Sequence, residues 1–454
     1  MENEKKKSNI DIFENYPIPK AIAALCVPTV LSMLVTIFYN MADTFFVGQT
    51  GDKNQVAAVS LTTPVFLFYL AAGNIFGIGG STMISRLLGQ GDHKKPKNVS
   101  AFCFYGCIAV GVLLMTVFLT CMPTVLKLIG TSEDTYAFAR DYLTYVSLGG
   151  VFIVLSTAMG NLVRGEGAAK ISMAGMMIGT IINMVLDPVM ILLLGMGVSG
   201  AAVATVIGNI CSVAFYIVYI VRNRDNTVLS FMPKDFSVSG TAGGVLSIGL
   251  PASFNNVLMS LSNIMLNVFL SGYGDIPIAA MGVAMKANML VVMLQLGLAM
   301  GMQPLAGYCY GAGNREKLNK VMKFASICNF VIGSVLTAVY LFACRAIVGA
   351  FISDAAVVEY GVKMLRALMI SGPLIGIMFV FSFTFQAMGK AVPSLILSVS
   401  RQGLVFLPVV IIGNRLFGLD GIIYAQPCAD LGSLIIAAVM FFVIMREKKT
   451  PETR

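Results

Sequence analysis

Twelve long apolar runs, separated by short polar connections, make up most of this chain of 454 residues. About 20 consecutive apolar residues suffice for a helix to cross the hydrocarbon core of a bilayer. Of all residues, 57% are hydrophobic and only 12% are charged, which is about half the charged share of soluble proteins. The sequence therefore predicts an all-α integral membrane protein with twelve transmembrane helices, and it excludes a soluble enzyme or a single-span receptor.

Six runs precede, and six follow, a polar stretch that reads RNRDNTVLSFMPKDFSVSG. The predicted spans lie at about 20–47, 55–88, 98–126, 138–163, 170–195, 199–222, 242–270, 277–310, 321–350, 359–388, 393–413 and 420–445. We accordingly predict an N-terminal six-helix lobe over 1–225, a cytoplasmic linker over 226–241 and a C-terminal six-helix lobe over 242–454.

The Lys and Arg residues lie mostly on one side of this predicted topology. If the N-terminus is cytoplasmic, 22 of the 31 cations fall in inner segments and 7 in outer segments, while Lys286 and Arg401 fall within spans. Cations near the ends of spans resist translocation. The bias predicts that both termini are cytoplasmic.

The second half of the chain repeats the first at a displacement of 221 to 223 residues. Gly51-Asp52 matches Gly274-Asp275, GQGD at 89–92 matches GAGN at 311–314, and GVSGAAVA at 197–204 matches GLDGIIYA at 418–425. Each half has an even number of spans, so both enter the membrane from the same side. The sequence thus predicts two parallel six-helix repeats around a central cleft, an architecture suited to alternating access.

Two carboxylates lie within apolar spans of the first half. Asp43 is in the first span and Asp187 is in the fifth, and helix lengths of roughly 34 Å and 25 Å from the inner boundary allow them to share a depth. Asn183 lies one helical turn before Asp187, and Thr205, about five residues into the sixth span, lies at a similar level. Such a set of oxygen atoms can bind a hard cation such as Na⁺ or share protons.

Each acid also has an interpretation without function. Asp43 could lie in water near the outer interface, and Asp187 could cap the helix where Pro188 interrupts its hydrogen bonding. The positions that match them in the second half are Asn267 and Leu407, which are not acidic. A cation site, if present, is therefore predicted in the N-terminal lobe alone.

Several sequence segments together resemble the multidrug and toxic compound extrusion (MATE) family, nearest its branch of DinF-type proteins and staphylococcal multidrug exporters. These segments are YNMADTFFVGQTG, SRLLGQGD, YCYGAGN, NLVRGEG and NMVLDP, within a parallel six-plus-six repeat. The resemblance covers nearly the whole chain. It implies a multidrug efflux antiporter in which a cation, H⁺ or Na⁺, moves inward while an amphipathic, often cationic compound leaves.

The family pattern also implies particular coupling residues. An Asp in the first helix, Asn-x-x-x-Asp in the fifth and a Thr in the sixth match Asp43, Asn183, Asp187 and Thr205, and an Asn in the fourth matches Asn161. Depth counting places Asn161 nearer the cytoplasmic end. The acidic residues that the NorM-type branch has in helices seven and ten are missing here, which leaves a coupling site in the second half without support.

The resemblance further implies a setting. We expect a monomer in the bacterial cytoplasmic membrane, with no cofactor besides the coupling ion, no enzymatic activity and no nucleic-acid partner. Its partners would be small-molecule drugs, toxic cations and the lipid bilayer, and its activity would contribute to antibiotic resistance.

Other residues are candidates for roles in transport. Pro28 removes a backbone donor from the first span and is predicted as a hinge, although kinking without gating is the alternative. Glycines of the second span favour close helix packing. Residues chosen as candidates for the lining of the cleft are Met33, Phe38, Met177, Asn256, Met289 and Met293.

Three other functions are alternatives to drug transport. A flippase for lipid-linked precursors would need several cations within its spans to bind phosphate, and only Lys286 and Arg401 are present. We expect these two cations to be buried, where they either pair with Asp430 or line the cleft. An embedded enzyme lacks HExxH, GxSxG or a comparable reactive pair, and a channel would need repeated polar rings. The choice between H⁺ and Na⁺ stays open.

Overall fold

A computed structural model describes residues 10–446, except for the side chains of Thr44, Asn256, Met445 and Arg446. Over this range the chain is helical, with turns and short connections and no strand. Ten helical segments are long and apolar enough to cross a membrane, and two bent helix pairs raise the number to twelve. The predicted fold class, an all-α membrane protein with twelve transmembrane helices in two repeats, is confirmed.

The first half begins with a short helix and continues through six spans. The elements are α1 (Asp11–Glu14), α2 (Ile18–Gly48), α3 (Lys53–Gly89), α4 (Lys95–Thr120), α5 (Met122–Leu128), α6 (Glu133–Leu148), α7 (Gly150–Gly165), α8 (Ala169–Pro188) with a π-helical turn at Val189–Leu193, and α9 (Val198–Arg222). A linker with one 3₁₀ turn at Pro233–Asp235 follows α9.

The second half has the same order of spans. Its elements are α10 (Ala242–Ser271), α11 (Asp275–Gly311), α12 (Arg315–Phe351), α13 (Ala355–Ile370), α14 (Gly372–Ala387), α15 (Ala391–Val399) with a π-helical turn at Ser400–Leu404, α16 (Phe406–Phe417), α17 (Leu419–Ile423) and α18 (Ala425–Arg446). The matching helices α3 and α11 have 37 residues each, roughly 55 Å of helix, so they must tilt or protrude from the membrane.

Two predicted spans are not straight helices. The fourth bends by 54° between α6 and α7, and the tenth bends by 48° between α13 and α14. The bends occur at Gly149-Gly150 and at Ser371-Gly372, which occupy matching places in the two halves. Gly and Ser pairs are a common cause of sharp helix kinks. A Cβ atom at Gly150 would collide with the ring of Tyr69, so the bend also lets α7 pack closely on α3.

The backbone conformation repeats along with the sequence. Four pairs of glycines at the predicted displacement all have positive φ angles, a conformation that favours glycine. The pairs and their angles are Gly51 and Gly274 (72° and 97°), Gly91 and Gly313 (78° and 69°), Gly167 and Gly389 (95° and 76°), and Gly197 and Gly418 (54° and 59°). Glycines in this conformation therefore recur at the same places in both halves, so the internal repeat extends from the sequence to the backbone.

The helices form two compact units. The first contains the chain up to Ser253 together with Pro304–Arg315 and Ala387–Gly389, and the second contains Phe254–Gln303, Glu316–Gln386 and the chain from Lys390. The predicted domain boundaries, in contrast, divide the chain at the linker, and they stay a prediction.

Glycines of α3 are points of close contact in the first unit. A Cβ atom at Gly73 would meet Thr157 of α7, one at Gly77 would meet Asn161 of α7, and one at Gly79 would meet the backbone of Val245 in α10. The predicted packing role of these glycines is confirmed. They bring α3 against two neighbouring elements at backbone distance.

The short helix α1 is attached to the end of α11 within the first unit. Phe13 is fully buried and stacks on Tyr308, with 5.1 Å between ring centroids. The Tyr308 hydroxyl donates a 2.8 Å hydrogen bond to Glu14 Oε1. One apolar ring and one carboxylate thus fix α1 to residues from the second half of the sequence.

The second unit has an apolar core formed by its own helices. Leu270, Val291, Met364, Val410 and Ala429 are fully buried in this core. Some buried polar side chains there donate to backbone carbonyls, as when Gln295 Nε2 donates to Gly372 O at 2.7 Å and the Tyr340 hydroxyl donates to Ala287 O at 2.9 Å. In a bilayer such satisfaction is needed, because the hydrocarbon offers no alternative partner.

Candidate functional site: an acidic cluster in the first unit

The crossing of α8 and α9 determines where the candidate site lies. Gly179 and Gly208 face each other at this crossing, and a Cβ atom at Gly208 would be 2.5 Å from Gly179 O. The Ser212 hydroxyl donates to Gly175 O at 2.9 Å, and the Tyr216 hydroxyl donates to Ser172 O at 2.8 Å. Small residues and interhelical hydrogen bonds of this kind hold membrane helices at short distance.

One turn beyond this crossing, three polar side chains face one another. Asn183 and Asp187 lie on the same side of α8, four residues apart, and Thr205 lies opposite on α9. Asn183 Nδ2 donates a 3.2 Å hydrogen bond to Thr205 Oγ1. All three are buried, with Asp187 at 0% exposure.

Helix α2 packs against α8 and adds two more polar groups. The Tyr39 hydroxyl lies 3.4 Å from Thr205 Oγ1. Asp43 follows Tyr39 by four residues, and it is close enough to Asp187 for the two carboxylates to interact electrostatically. We call Tyr39, Asp43, Asn183, Asp187 and Thr205 the N-terminal cluster.

Oxygen atoms of the N-terminal cluster are buried without hydrogen-bond donors. Among the described residues, neither oxygen of Asp187 has a partner, and the same holds for Asp43 Oδ1 and Asn183 Oδ1. Buried polar atoms are almost always satisfied, so an unsatisfied group points to an ion, a proton or water at that place. The arrangement fits a cation or protons, because four oxygen acceptors of the cluster have no donor in the described chain.

The cations of the described chain do not neutralise these acids. The five ion pairs between residues 10 and 446 all involve other carboxylates. Because neither oxygen of Asp187 has a hydrogen-bond partner within this range, Asp187 does not cap the helix at Pro188. Because Asp43 Oδ1 is buried, the Asp43 side chain is not fully exposed to solvent.

A π-helical turn begins two residues after Asp187, immediately after Pro188. Leu194 N donates to Val189 O, five residues earlier, at 2.9 Å, where Pro188 interrupts the regular α-helical pattern. Single π-helical turns occur frequently at functional sites. Here the turn lies between Asp187 and the glycine-containing connection to α9, so it links the two helices that carry Asp187 and Thr205.

Asn161 is not hydrogen-bonded to the cluster. Its Nδ2 donates to Thr157 O within α7 at 2.8 Å, and its side-chain oxygen accepts a hydrogen bond from Arg164 Nη2. Asn161 therefore bonds within its own helix and to a buried guanidinium group. No described hydrogen bond to the N-terminal cluster supports a role of Asn161 in cation coupling.

The remaining predicted site residues occupy varied environments. Pro28 lies inside α2, which continues through it, and the Pro28 carbonyl accepts a hydrogen bond from the Ser32 hydroxyl at 2.9 Å. Phe38 is 62% exposed. The side chains of Met33, Met177, Met289 and Met293 are partly buried, and the side chain of Asn256 lies outside the described residues.

Sequence reasoning missed two tyrosines. Tyr39 belongs to the cluster, and Tyr142 of α6 is buried and interacts electrostatically with Asp43, Asp187 and Tyr39. Helical spacing offered a signal for Tyr39, which precedes Asp43 by one turn. For Tyr142 the sequence offered no such signal, since its proximity depends on how α6 packs.

The buried acid Asp430 of the second unit has a different environment. Asp430 Oδ1 accepts hydrogen bonds from Arg401 Nε at 2.8 Å and Gln426 Nε2 at 3.1 Å, and Oδ2 accepts one from the Ser371 hydroxyl at 2.8 Å. We call Arg401 and Asp430 the C-terminal ion pair. The predicted pairing of Arg401 is observed, whereas Lys286 is exposed and the expectation of a buried Lys286 was wrong.

The C-terminal ion pair bears on the flippase alternative. Arg401 also lies over the ring of Phe379, 5.3 Å from its centroid, so its guanidinium group is already occupied by a carboxylate and an aromatic face. Binding of a phosphate by Arg401 would require loss of the contact with Asp430. Arg401 therefore gives little support to the flippase alternative, which needs a free cation to bind the phosphate of a lipid-linked precursor.

A family model matches both halves of the chain. The MatE family model matches residues 28–189 and again residues 251–412, in agreement with the internal repeat. The chain belongs to the MatE family. It is thus a membrane transporter protein of the MATE group, as its sequence motifs indicated.

Characterised relatives and solved structures agree with this placement. The chain is 32% identical to the multidrug export protein MepA of Staphylococcus aureus (strain NCTC 8325 / PS 47) over 452 residues, which cover 99% of this chain and 98% of MepA. It is similar to the structure of a multidrug resistance MATE family transporter of the MOP superfamily in an outward-facing conformation, with a TM-score of 0.92 and 27% identity over 98% of this chain and 100% of that chain. A crystal structure of MATE in complex with MaL6 has a TM-score of 0.92 and 25% identity over the same shares.

Proposed function

We propose that this MATE protein is a cation-coupled multidrug efflux antiporter of the bacterial cytoplasmic membrane. It exports amphipathic, often cationic compounds by alternating access, while H⁺ or Na⁺ moves inward. The similarity to a multidrug exporter over the full chain supports the class of substrate. Both termini are cytoplasmic in this proposal, and the protein acts as a monomer and not as an enzyme.

The N-terminal cluster carries the coupling part of the proposal. Asp187 is fully buried, Asp43 is partly buried, and no ion pair among the described residues includes either acid. Two carboxylates this close repel each other and are costly to ionise in an apolar surrounding. A proton or Na⁺ at this place would remove that cost. Asp43 and Asp187 are the charged groups, Asn183 and Thr205 supply neutral oxygen atoms, and Tyr39 adds a hydroxyl group from the adjacent turn of α2.

Cation binding would act on helix α2. Neutralised carboxylates no longer repel each other, so α2 can approach α8 and change its bend at Pro28, where one backbone hydrogen bond is already missing. Because the helix extends from the cluster toward the predicted cytoplasmic side, a change in its bend would alter both ends of the transport pathway. This step makes drug exit depend on cation entry.

Inside-out vesicles provide the test. We expect uptake of the fluorescent cation ethidium when the lumen is acidic, or when it is rich in Na⁺, and transport under one gradient alone would identify the coupling ion. Asp43→Asn and Asp187→Asn should each lower gradient-driven uptake at least 100-fold, while Asp420→Asn, at an exposed ion pair with Lys363, serves as the control.

Two outcomes would contradict the proposal. Undiminished uptake by both cluster variants would exclude the N-terminal cluster as the coupling site. Absence of uptake by the wild type under either gradient, with folded protein in the vesicles, would refute antiport itself. In the same assay, full coupled uptake by Pro28→Ala would remove the hinge role of Pro28.

A further inference from the structure

The linker that follows α9 forms a cavity with the starts and ends of two membrane helices. The cavity has a volume of about 230 Å³. Its cationic lining consists of Lys97 in the first turn of α4, Arg224 just after α9, and Lys234 in the 3₁₀ turn of the linker. Its apolar lining includes Ile220, Val221 and Phe231. We call this space the linker cavity.

The cavity wall is a firmly attached segment of chain. The Ser100 hydroxyl donates to Ser230 O at 3.1 Å and accepts from Ser230 N at 2.8 Å, and the Tyr105 hydroxyl donates to Phe231 O at 3.0 Å. Glu166 accepts hydrogen bonds from the Thr227 hydroxyl and from Val228 N. These contacts fix the linker to α4 and to the end of α7, and they hold the cavity wall in place in this structure.

The three cations of the cavity have no acidic partner. No ion pair between residues 10 and 446 includes Lys97, Arg224 or Lys234. The one carboxylate in the lining, Asp235, accepts a 2.5 Å hydrogen bond from the Ser230 hydroxyl. The cavity therefore carries a net positive charge from three side chains that converge on one space, which favours an anion.

The apolar side of the cavity is continuous with exposed apolar residues on the surface of α9. Val221 lines the cavity and is 57% exposed, and Val218, about one turn deeper into the span, is 46% exposed. Arg222 marks the end of α9, which the predicted topology places at the inner surface of the membrane. A molecule with a negative head and acyl chains would find matching surfaces at matching depths.

We propose that the linker cavity binds the phosphate headgroup of an anionic phospholipid from the inner leaflet. The phosphate lies among Lys97, Arg224 and Lys234, and the acyl chains extend along Val221 and Val218. Basic pockets between helices at the cytoplasmic surface are suited to such headgroups. This site is independent of the N-terminal cluster and of cation coupling, while its assignment to the inner leaflet rests on the proposed topology.

Lipid binding to the purified protein tests the proposal. Delipidated full-length protein in dodecyl maltoside is titrated with phosphatidylglycerol or phosphatidylcholine, and bound lipid is counted by native mass spectrometry. We expect at least tenfold tighter binding of phosphatidylglycerol. The variant Lys97→Gln/Arg224→Gln/Lys234→Gln should lose about 100-fold in affinity for phosphatidylglycerol, at roughly 1 kcal/mol for each cation.

A matched control separates a site from general attraction. The variant Lys94→Gln/Lys170→Gln/Lys323→Gln removes the same charge from exposed positions of the predicted cytoplasmic face that do not line the cavity, and it should retain the affinity. Unchanged binding by the cavity variant, or an equal loss by the control, would overturn the proposal. So would displacement of the lipid by millimolar inorganic phosphate alone, which would identify a free anion as the ligand.

Single substitutions keep the test valid if the triple variant does not fold. Arg224→Gln alone affects an exposed side chain and should lower the affinity for phosphatidylglycerol about fivefold. Its melting temperature in the absence of lipid should equal that of the wild type, whereas added phosphatidylglycerol should raise the melting temperature less. Equal stabilisation of this variant and the wild type by the lipid would count against the site.

Discussion

The two units of the molecule contain buried carboxylates in opposite electrostatic situations. In the second unit, Asp430 is bonded to Arg401, Gln426 and Ser371, and both of its oxygen atoms are satisfied. In the first unit, Asp187 is equally buried, yet neither of its oxygen atoms has a partner among the described residues. The two acids therefore differ in what surrounds them and not in how deep they lie.

This difference separates a structural charge from a charge available to a ligand. A carboxylate paired with a guanidinium group cannot take up a proton or Na⁺ without losing that partner. An unpaired carboxylate in an apolar surrounding gains from either ion. The same residue type can thus stabilise one unit and couple transport to a cation in the other.

The largest difference is expected in stability. Asp430→Asn would leave the charge of Arg401 buried and uncompensated, so it should lower the free energy of unfolding by about 3–5 kcal/mol. Asp187→Asn removes an unpaired charge and should change that free energy by less than about 1 kcal/mol. Unfolding of both variants in a detergent titration measures these values, and equal losses would remove the distinction between the two acids.

The next prediction concerns transport and uses removal of both partners. The double variant Arg401→Met/Asp430→Met replaces the C-terminal ion pair with apolar groups, a change that is often neutral when both charges are removed together. We expect ethidium uptake within about threefold of the wild type. Asp187→Asn should remain at least 100-fold lower in the same vesicles.

Loss of coupled uptake in the double variant, with the protein folded and inserted, would place the C-terminal ion pair in the coupling machinery. The comparison would then describe two linked sites instead of one functional site and one structural pair. Binding of ethidium without a gradient distinguishes these cases, because a structural defect lowers binding and an uncoupled transporter retains it.

Span number, the repeat and the proximity of Asp43 to Asp187 could be predicted from sequence. Apolar runs of sufficient length define spans because the bilayer imposes one thickness. Matching glycines at a fixed displacement predicted the repeated connections, where Gly197 and Gly418 have nearly the same backbone angles. The depth of an acid follows from the constant rise of a helix.

Features that depend on tertiary packing could not be predicted in this way. The bend at Gly149-Gly150 depends on close contacts with Val206 and Tyr69, which belong to other helices. Lys286 and Arg401 each interrupt an apolar span, and hydropathy does not show which of them faces a carboxylate. Tyr142 joins the surroundings of the cluster only through the packing of α6, so periodicity within its own helix was uninformative.

The smallest expected effect distinguishes two asparagines that the family pattern treats alike. Asn183 lies beside Asp187 and bonds to Thr205, whereas Asn161 bonds to Thr157 and Arg164. Asn183→Ala should raise the cation concentration for half-maximal uptake about tenfold, since a hydrogen-bonding contact to a charged group contributes roughly 1.5–3 kcal/mol. Asn161→Ala should change it by less than about twofold, because its contacts are made within α7.

Titration of uptake against the coupling ion in both variants decides this point. A stability measurement has to accompany the titration, because loss of Asn161 removes a partner of the buried Arg164 and should destabilise α7. If Asn161→Ala shifted half-maximal uptake as strongly as Asn183→Ala while folding normally, the coupling site would have to extend to α7. The buried guanidinium group of Arg164 would then be a charged neighbour of the transported cation. The contrast between the unpaired Asp187 and the paired Asp430 would no longer suffice to explain which residues couple transport to the cation.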